Sequence, residues 1–350
     1  MEINEETIFV TIASCNEYLI EHTIKSAMSQ ASNKERVFFG VFNNILEKEK
    51  SLLDNEFFTN NSKIFYAEIF TPAPMGTGFG RMNASLLSTQ EHDYVLQIDS
   101  HTIFTKDWDV KLIENFNNVK EMANTDRVIL SAVPRGNLYY DISDRDSLMS
   151  PDQEFKEKNI DKIDMYTNNY HEFNNYKNSK PELIYHGWQG ENFDQVNVGR
   201  PITYGASKFG EEKYPETNCI HASVVFFKYS VIREVLHDPA DHFNGDQINQ
   251  SLRLLSRGYR IFSMQDPLFL SLDKSKGNKP LDPEWNWKIF KSSNPISWAY
   301  LSHSNERSDV NYQKIFNGEF FGYWGAPDEK SLSEAKKIMG FKEINNDGKQ

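Results

Sequence analysis

Four short apolar runs recur in the first hundred residues: Thr7-Ile8-Phe9-Val10-Thr11-Ile12-Ala13-Ser14, Arg36-Val37-Phe38-Phe39-Gly40-Val41-Phe42, Lys63-Ile64-Phe65-Tyr66-Ala67-Glu68-Ile69-Phe70 and Tyr94-Val95-Leu96-Gln97-Ile98. Their β-branched and aromatic side chains leave little polar surface for either face, so each reads as a strand covered on both sides. Tyr18 to Gln30, with Leu19, Ile24, Ala27 and Met28, suits a helix, and residues 46–58 look helical too. The polar pair Asn43-Asn44 ends the second strand, and Pro72, Pro74, Gly76, Gly78 and Gly80 read as a loop. Arg81 to Ser88 then carries Met82, Leu86 and Leu87 at helical positions. The order β-α-β-α-β-loop-α-β predicts an α/β fold whose sheet is mostly parallel and Rossmann-like, because parallel neighbours require covering crossovers.

Further along, Trp108 to Met122 reads as a helix and Val128 to Val133 as a strand. Residues 137–182 are rich in Asn, Asp, Tyr and Lys and poor in aliphatic residues, which predicts an irregular excursion over the surface. Regular structure returns with a strand at 221–227 and a helix from Ser230 to Leu236. A longer helix follows, opened by Phe243-Asn244-Gly245-Asp246-Gln247-Ile248 and running to Arg257, with Gly258 in the C′ position. Tyr259 to Ser263 is a late strand, residues 284–303 are rich in tryptophan, and Ser331 to Met339 is a terminal helix closed by Gly340. The tail from Asn345 to Gln350 is expected to fray.

The composition narrows the partners. Fifty acidic against 38 basic residues give a formal charge of −12, so no net positive field draws the chain to nucleic acid or to an anionic membrane. A basic groove would have to be local. Two cysteines, Cys15 and Cys219, are too few for a disulfide scaffold or a cysteine-rich zinc site. No stretch approaches the ~20 apolar residues of a membrane span. The opening Glu2-Ile3-Asn4-Glu5-Glu6 is acidic where a signal peptide is basic, so a cytoplasmic location is expected.

The candidate site begins where the fourth strand ends. Asp99-Ser100-His101 follows the apolar run at the carboxyl edge of the predicted sheet, the edge at which open α/β sheets bind ligands. Residues at i and i+2 can point the same way and share one cation; the alternative is a polar turn in which Asp99 caps the next segment. Gly76, Gly78 and Gly80 match a phosphate-binding glycine pattern loosely, and a flexible turn before the Arg81 helix accounts for them equally well. Asp246, at a helix start, either interacts with the helix dipole or faces a substrate. His186 and His221 are candidates to line a cleft. Trp285, Trp287 and Trp298 would form either a stacking platform or core.

Taken in order, these segments resemble a known family. Ile8 to Ser14, Leu96-Gln97-Ile98-Asp99-Ser100-His101, Trp108-Asp109, Leu130-Ser131-Ala132-Val133-Pro134, and Phe243 to Ile248 followed by Arg253 and Gly258-Tyr259 are similar to the glycosyltransferases that attach GlcNAc to polypeptides. The likeness covers roughly residues 7–135 and 220–270, with a weaker echo near Arg307 and in the C-terminal helix. It implies a GT-A fold with a smaller antiparallel acceptor-side part, a UDP-sugar donor, Mn²⁺ or Mg²⁺, and retention of the α configuration. It implies one catalytic domain: 1–135 as the nucleotide-sugar half, 136–270 as the acceptor-side half with the irregular insertion 137–220, and 271–350 as a closing segment. Thr11, Ala13 and Ser14 on the first strand, with Phe42 and Asn43 on the second, would flank the uridine. Arg81 would approach the diphosphate or the base. Asp99, Ser100 and His101 would form the Asp-x-His metal motif, and Asp246 and Gln247 would take the place of a Glu-Glu pair close to sugar and acceptor.

This chain departs from the family at two points. The family's later histidine is absent from Pro267-Leu268-Phe269-Leu270-Ser271-Leu272-Asp273, leaving Asp273 or His303 as the third protein ligand, or none. Gln247 replaces a carboxylate and cannot ionise to act as a base. The leading expectation is therefore a metal-dependent, retaining hexosyltransferase acting on a hydroxyl of a polypeptide or glycan. The alternatives are a viral-type transferase acting on a hydroxymethylated DNA base, and a sugar- or nucleotide-binding module without turnover.

Overall fold

The computed structural model describes residues 6–17, 19–46, 51, 53, 55–72, 74–88, 91–132, 134, 137–139, 213–241, 246–264, 266, 268–273 and 314–339. The first half alternates β1 (Ile8–Ser14), α1 (Ile20–Gln30), β2 (Val37–Leu46), α2 (Asn55–Thr59), β3 (Ile64–Thr71), α3 (Thr77–Leu86) and β4 (Tyr94–Asp99). Then come β5 (Thr102–Phe104), α4 (Trp108–Ala123), β6 (Val128–Ser131), β7 (Asn137–Tyr139), β8 (Glu216–Thr217), β9 (Val224–Lys228) and α5 (Ser230–Glu234). The described chain closes with α6 (Asp246–Ser256), β10 (Arg260–Ser263), β11 (Phe269–Asp273) and α7 (Glu329–Ile338). The large sheet runs β3-β2-β1-β4-β9-β6-β10-β8, and a small one runs β5-β11-β7.

Parallel pairing joins β3, β2, β1 and β4, with Ala13 beside both Phe42 and Asp99. The carboxyl ends of β1, β2 and β4 therefore meet at one edge. β9 is antiparallel to β4, with Val224 beside Ile98, so its amino end reaches the same edge. The expected α/β class, with a mostly parallel sheet, is the class found. In the small sheet β11 is antiparallel to β5 and parallel to β7.

The period of two along each strand divides the core between the two faces of the sheet. Leu96, Val224, Phe226 and Leu130 pack with Trp108 and Phe116 of α4 on one face. Val95, Val225, Ile129 and Ile261 pack with Ile248 and Leu252 of α6 and Leu332 of α7 on the other. Each such side chain contributes about 1.5–3 kcal/mol when fully buried, so helices on both faces are what make these apolar strands stable. Among the described residues no helix is long and apolar enough to cross a membrane.

Asp109 beside Trp108 is structural. It is fully buried, accepts the backbone N–H of Ser32 at 2.8 Å and of Asn33 at 3.1 Å, and pairs with Arg36 at 2.8 Å. The Trp108 indole N–H donates to the Ala27 carbonyl at 2.8 Å, which fastens α4 to α1.

Three local expectations are corrected. Gly78 and Gly80 lie inside α3, which starts at Thr77 rather than Arg81. A Cβ on Gly78 would stand 2.2 Å from the Asp238 carbonyl oxygen and 2.7 Å from that of Asp241. A Cβ on Gly80 would meet the Ala13 Cβ at 3.0 Å. These glycines allow close helix packing and form neither a phosphate loop nor a flexible turn. Second, Asn43-Asn44 does not end β2, because both amides are used. Asn43 Oδ1 accepts the Asn16 N–H at 2.8 Å; Asn44 donates to Thr71 Oγ1 at 2.6 Å and accepts the Met75 N–H at 2.8 Å. Third, within 46–58 the described helix is only α2, starting at Asn55. Gly258, at φ +77°, ends α6 as its C′ position requires.

Candidate active site

A cavity of about 250 Å³ opens at the carboxyl ends of β1, β2 and β4, beside α3. Seven residues expected from the sequence share its wall: Ala13, Ser14, Phe42, Arg81, Asp99, Ser100 and His101. The remaining expected residues lie elsewhere. Thr11 is buried within β1, beside Gly40 of β2. Asn43 is fully buried and holds the turn after β1 through Asn16. Gln247 follows Asp246 in the first turn of α6, where its carbonyl accepts from Ser251 Oγ at 2.5 Å. Asp273 is the last residue of β11; only its backbone is described. His186, His303, Trp285, Trp287 and Trp298 lie outside the described residues.

The turn carrying Asp99 and His101 is clamped from below. Thr102 Oγ1 donates to the Asp99 carbonyl at 2.9 Å. Thr23 of α1 donates to the Ser100 carbonyl at 2.9 Å and accepts the Thr102 N–H at 3.0 Å. Both side chains keep 28% of their surface exposed. They thus present one carboxylate and one imidazole to the same space, an oxygen–nitrogen set that suits Mn²⁺. Among the described residues no group of three His, Cys, Asp or Glu side chains is arranged to hold a metal ion. β11 pairs Ser271 with Thr102, the first residue of β5, and Asp273 pairs with Tyr139 of β7.

Arg81 organises the opposite wall. Its guanidinium pairs with Asp246 Oδ2, lies 3.5 Å from Asp99 Oδ1, and donates to the Ala222 carbonyl at 3.2 Å. Thr77 Oγ1 donates to the same Asp246 oxygen at 2.9 Å. Asp246 is only 5% exposed at its side chain and Arg81 10%, so this pairing sits where solvent screens little. Asp246 itself does not line the cavity; it meets it through Arg81.

Behind this wall burial disfavours the charged form of two histidines, His221 and His237. Burial lowers the pKa of His221; Asp99 and Asp246 pull it up and Arg81 pushes it down. The buried His237 is held well below its usual value, first by desolvation and then by Arg81 and Arg253. Its Nε2 meets Gln97 Oε1, and Gln97 in turn donates to the Ala222 carbonyl at 2.6 Å. His221 is not among the residues lining this cavity; its backbone N–H donates to Ser131 Oγ at 2.7 Å.

Among the wall residues that the sequence did not point to are Glu17, Thr77 and Phe79. Glu17 lies in the short polar connection between the first strand and the first helix, which carries no motif. Thr77 and Phe79 were hidden because the glycines around them suggested a loop. Phe79 packs edge-on against Phe42, with ring centroids 5.7 Å apart.

The glycosyltransferase (GlcNAc) family model matches residues 47–279. No curated protein matches in sequence. Among solved structures, GalNAc-T7 with UDP, GalNAc and Mn²⁺ aligns at 10% identity and a TM-score of 0.46, covering 96% of this chain and 55% of its own. S. aureus TarS 1–349 aligns at 10% identity and a TM-score of 0.39, covering 89% of this chain and 72% of its own. The chain thus spans about 55% of the GalNAc-T7 chain. The match over 47–279 takes in more than half of the 350 residues, and the chain belongs to the glycosyltransferase (GlcNAc) family.

Proposed function

We propose that this protein is a metal-dependent, retaining GT-A glycosyltransferase that moves GlcNAc or a related hexose from a UDP-sugar to a hydroxyl of a polypeptide or glycan. The observation that carries the proposal is the convergence of Asp99, His101 and Arg81 on one cavity at the carboxyl edge of the sheet. The charge balance there favours a cation. Arg81 already faces two carboxylates, Asp99 and Asp246, so an incoming diphosphate would meet a site with no spare positive charge. Asp99 and His101 would hold a Mn²⁺ or Mg²⁺, which would supply that charge to the diphosphate. Asp273 is the candidate for a further ligand, because it lies two residues beyond Ser271, which pairs with Thr102 next to the Asp99–His101 turn.

The protein's own groups would divide the work as follows. Ala13, Ser14 and Phe42 form the wall against which the uridine packs, backed by Phe79. Arg81 gives charge-assisted hydrogen bonds to phosphate oxygen, and Asp246 with Thr77 holds its guanidinium in place. Gln247 offers hydrogen bonds to a sugar or acceptor hydroxyl and accepts no proton. In the step that fits, the acceptor oxygen bonds to the anomeric carbon on the face the diphosphate leaves. The C1–O bond to the diphosphate breaks, and its oxygen takes the acceptor's proton. Residues 1–135 would then hold the donor, 136–270 the acceptor side and 271–350 the closing segment, and a cytoplasmic setting belongs to the same proposal.

The test is UDP release and sugar transfer from UDP-GlcNAc and UDP-glucose with Mn²⁺, comparing wild type with Asp99→Ala and His101→Ala. The proposal expects metal-dependent turnover in wild type and its loss in both variants. Turnover that survives both substitutions would overturn the metal assignment, and donor binding without turnover would return the chain to the binding-module reading.

A further inference from the structure

We propose that Glu17 is a positioning residue that sets the tautomer and orientation of His101, so that Nε2 is the nitrogen presented to a divalent cation. This inference rests on the reading of Asp99 and His101 as the cation's ligands. An imidazole can offer a metal only one nitrogen at a time, and the other is commonly fixed by a carboxylate or carbonyl behind it. Here the two edges of the His101 ring are unequal. Nδ1 is buried and makes no hydrogen bond among the described residues, although 28% of the side chain is exposed. The exposed part of the ring therefore lies away from Nδ1, which leaves Nε2 for the cavity. On the Nδ1 side stands Glu17, with Oε2 at 4.0 Å. A shift of about 1 Å closes that gap to a hydrogen bond.

The backbone explains why a carboxylate is found there. β1 ends at Ser14, and Asn16 adopts the left-handed region at φ +50°. Asn43 Oδ1 holds the Asn16 N–H at 2.8 Å, and Ser14 Oγ holds the Glu17 N–H at 3.0 Å. Glu17 is thereby tucked beneath the cavity with 6% of its side chain exposed. Glu17 Oε1 accepts the Leu19 N–H at 3.5 Å, and its Oε2 faces the Nδ1 edge of His101, where an Nδ1–H can donate to it. With the proton on Nδ1, the Nε2 lone pair is free for the cation. Thr23 and Thr102 hold the backbone of the turn, so Glu17 has only the ring left to orient.

Two readouts test this on the full chain. The first is Mn²⁺ affinity in the presence of UDP, followed by electron paramagnetic resonance of free Mn²⁺. The second is the ¹⁵N shift pattern of the His101 ring in metal-free protein, which reports the tautomer directly. Glu17→Ala is expected to weaken Mn²⁺ binding about 10–100-fold and to move the ring away from the Nδ1–H form. Glu17→Gln, which keeps the shape and an acceptor oxygen, should recover part of both and serves if the alanine variant fails to fold. In a His101→Ala background, Glu17→Ala should cost no further Mn²⁺ affinity. Wild-type affinity and a wild-type tautomer in both Glu17 variants would overturn the proposal. Failure of wild type to bind Mn²⁺ with UDP would instead overturn the metal reading beneath it, and the two failures are distinguishable.

Discussion

Removing the Arg81 guanidinium should expose how much the buried Asp246 depends on it. In Arg81→Met the Asp246 carboxylate, 5% exposed, keeps the Thr77 hydroxyl at 2.9 Å but loses its charge partner. Stranding one member of a buried ion pair costs about 3–5 kcal/mol, whereas replacing both by neutral groups of similar volume is close to neutral. Arg81→Met alone should thus lower the urea unfolding free energy by about 3–5 kcal/mol. The double variant Arg81→Met/Asp246→Asn should recover most of that loss, so the coupling between the positions should be at least about 2 kcal/mol. Loss of the 3.2 Å bond to the Ala222 carbonyl adds about 1 kcal/mol to both and cancels in the cycle. A single-variant cost below about 1 kcal/mol would show that Arg81 does not neutralise Asp246. An additive double variant would show the same, and the account of the cavity wall would fail with it.

Other consequences are simpler. Asp109→Ala strands the buried Arg36 and two backbone N–H groups, and should cost about 3–5 kcal/mol by chemical denaturation. Gly78→Ala forces a methyl against two backbone carbonyls; a loss of about 1–3 kcal/mol or more in unfolding free energy is expected, together with weaker UDP binding as α3 shifts. His92 packs among the rings of Phe9, Phe38 and Tyr229, and neither ring nitrogen has a hydrogen-bond partner. Burial lowers its pKa, partly offset by Asp93, so below pH ~6.5 the unfolded chain takes up a proton that the folded one refuses. Stability should fall as pH drops from ~6.5 toward the lowered folded value, by at most ~1.4 kcal/mol per pH unit from this group. His92→Phe should flatten that part of the slope, and an unchanged urea–pH profile would refute it.

Periodicity made the sheet legible because strands buried on both faces, such as Tyr94 to Asp99 and Ile8 to Ser14, tolerate almost no polar residue. The position of Asp99-Ser100-His101 followed from chain order, since a run that pairs in parallel must end at the ligand edge. Local composition misled where tertiary contacts decide the outcome. Gly78 and Gly80 look like loop residues until the Asp238 and Asp241 carbonyls and Ala13 are seen pressing on them. Asn43-Asn44 looks like a strand end until Asn16, Thr71 and Met75 are seen using those amides. Glu17 was invisible as a site residue because its neighbour His101 lies 84 positions away and is brought close only by the β1–β4 pairing. The partnership of Arg81 with Asp246 spans 165 positions and depends on α3 and α6 meeting at one edge.

The central claim is that Asp99 and His101 turn this cavity into a cation-dependent nucleotide-diphosphate site. Calorimetric titration of UDP into wild type, Asp99→Ala and His101→Ala, each with and without Mn²⁺, tests it most directly. Mn²⁺ should strengthen UDP binding at least tenfold in wild type, about 1.4 kcal/mol, and the enhancement should vanish in both variants. Equal UDP affinity with and without Mn²⁺ in wild type, or an enhancement that survives both substitutions, would contradict it.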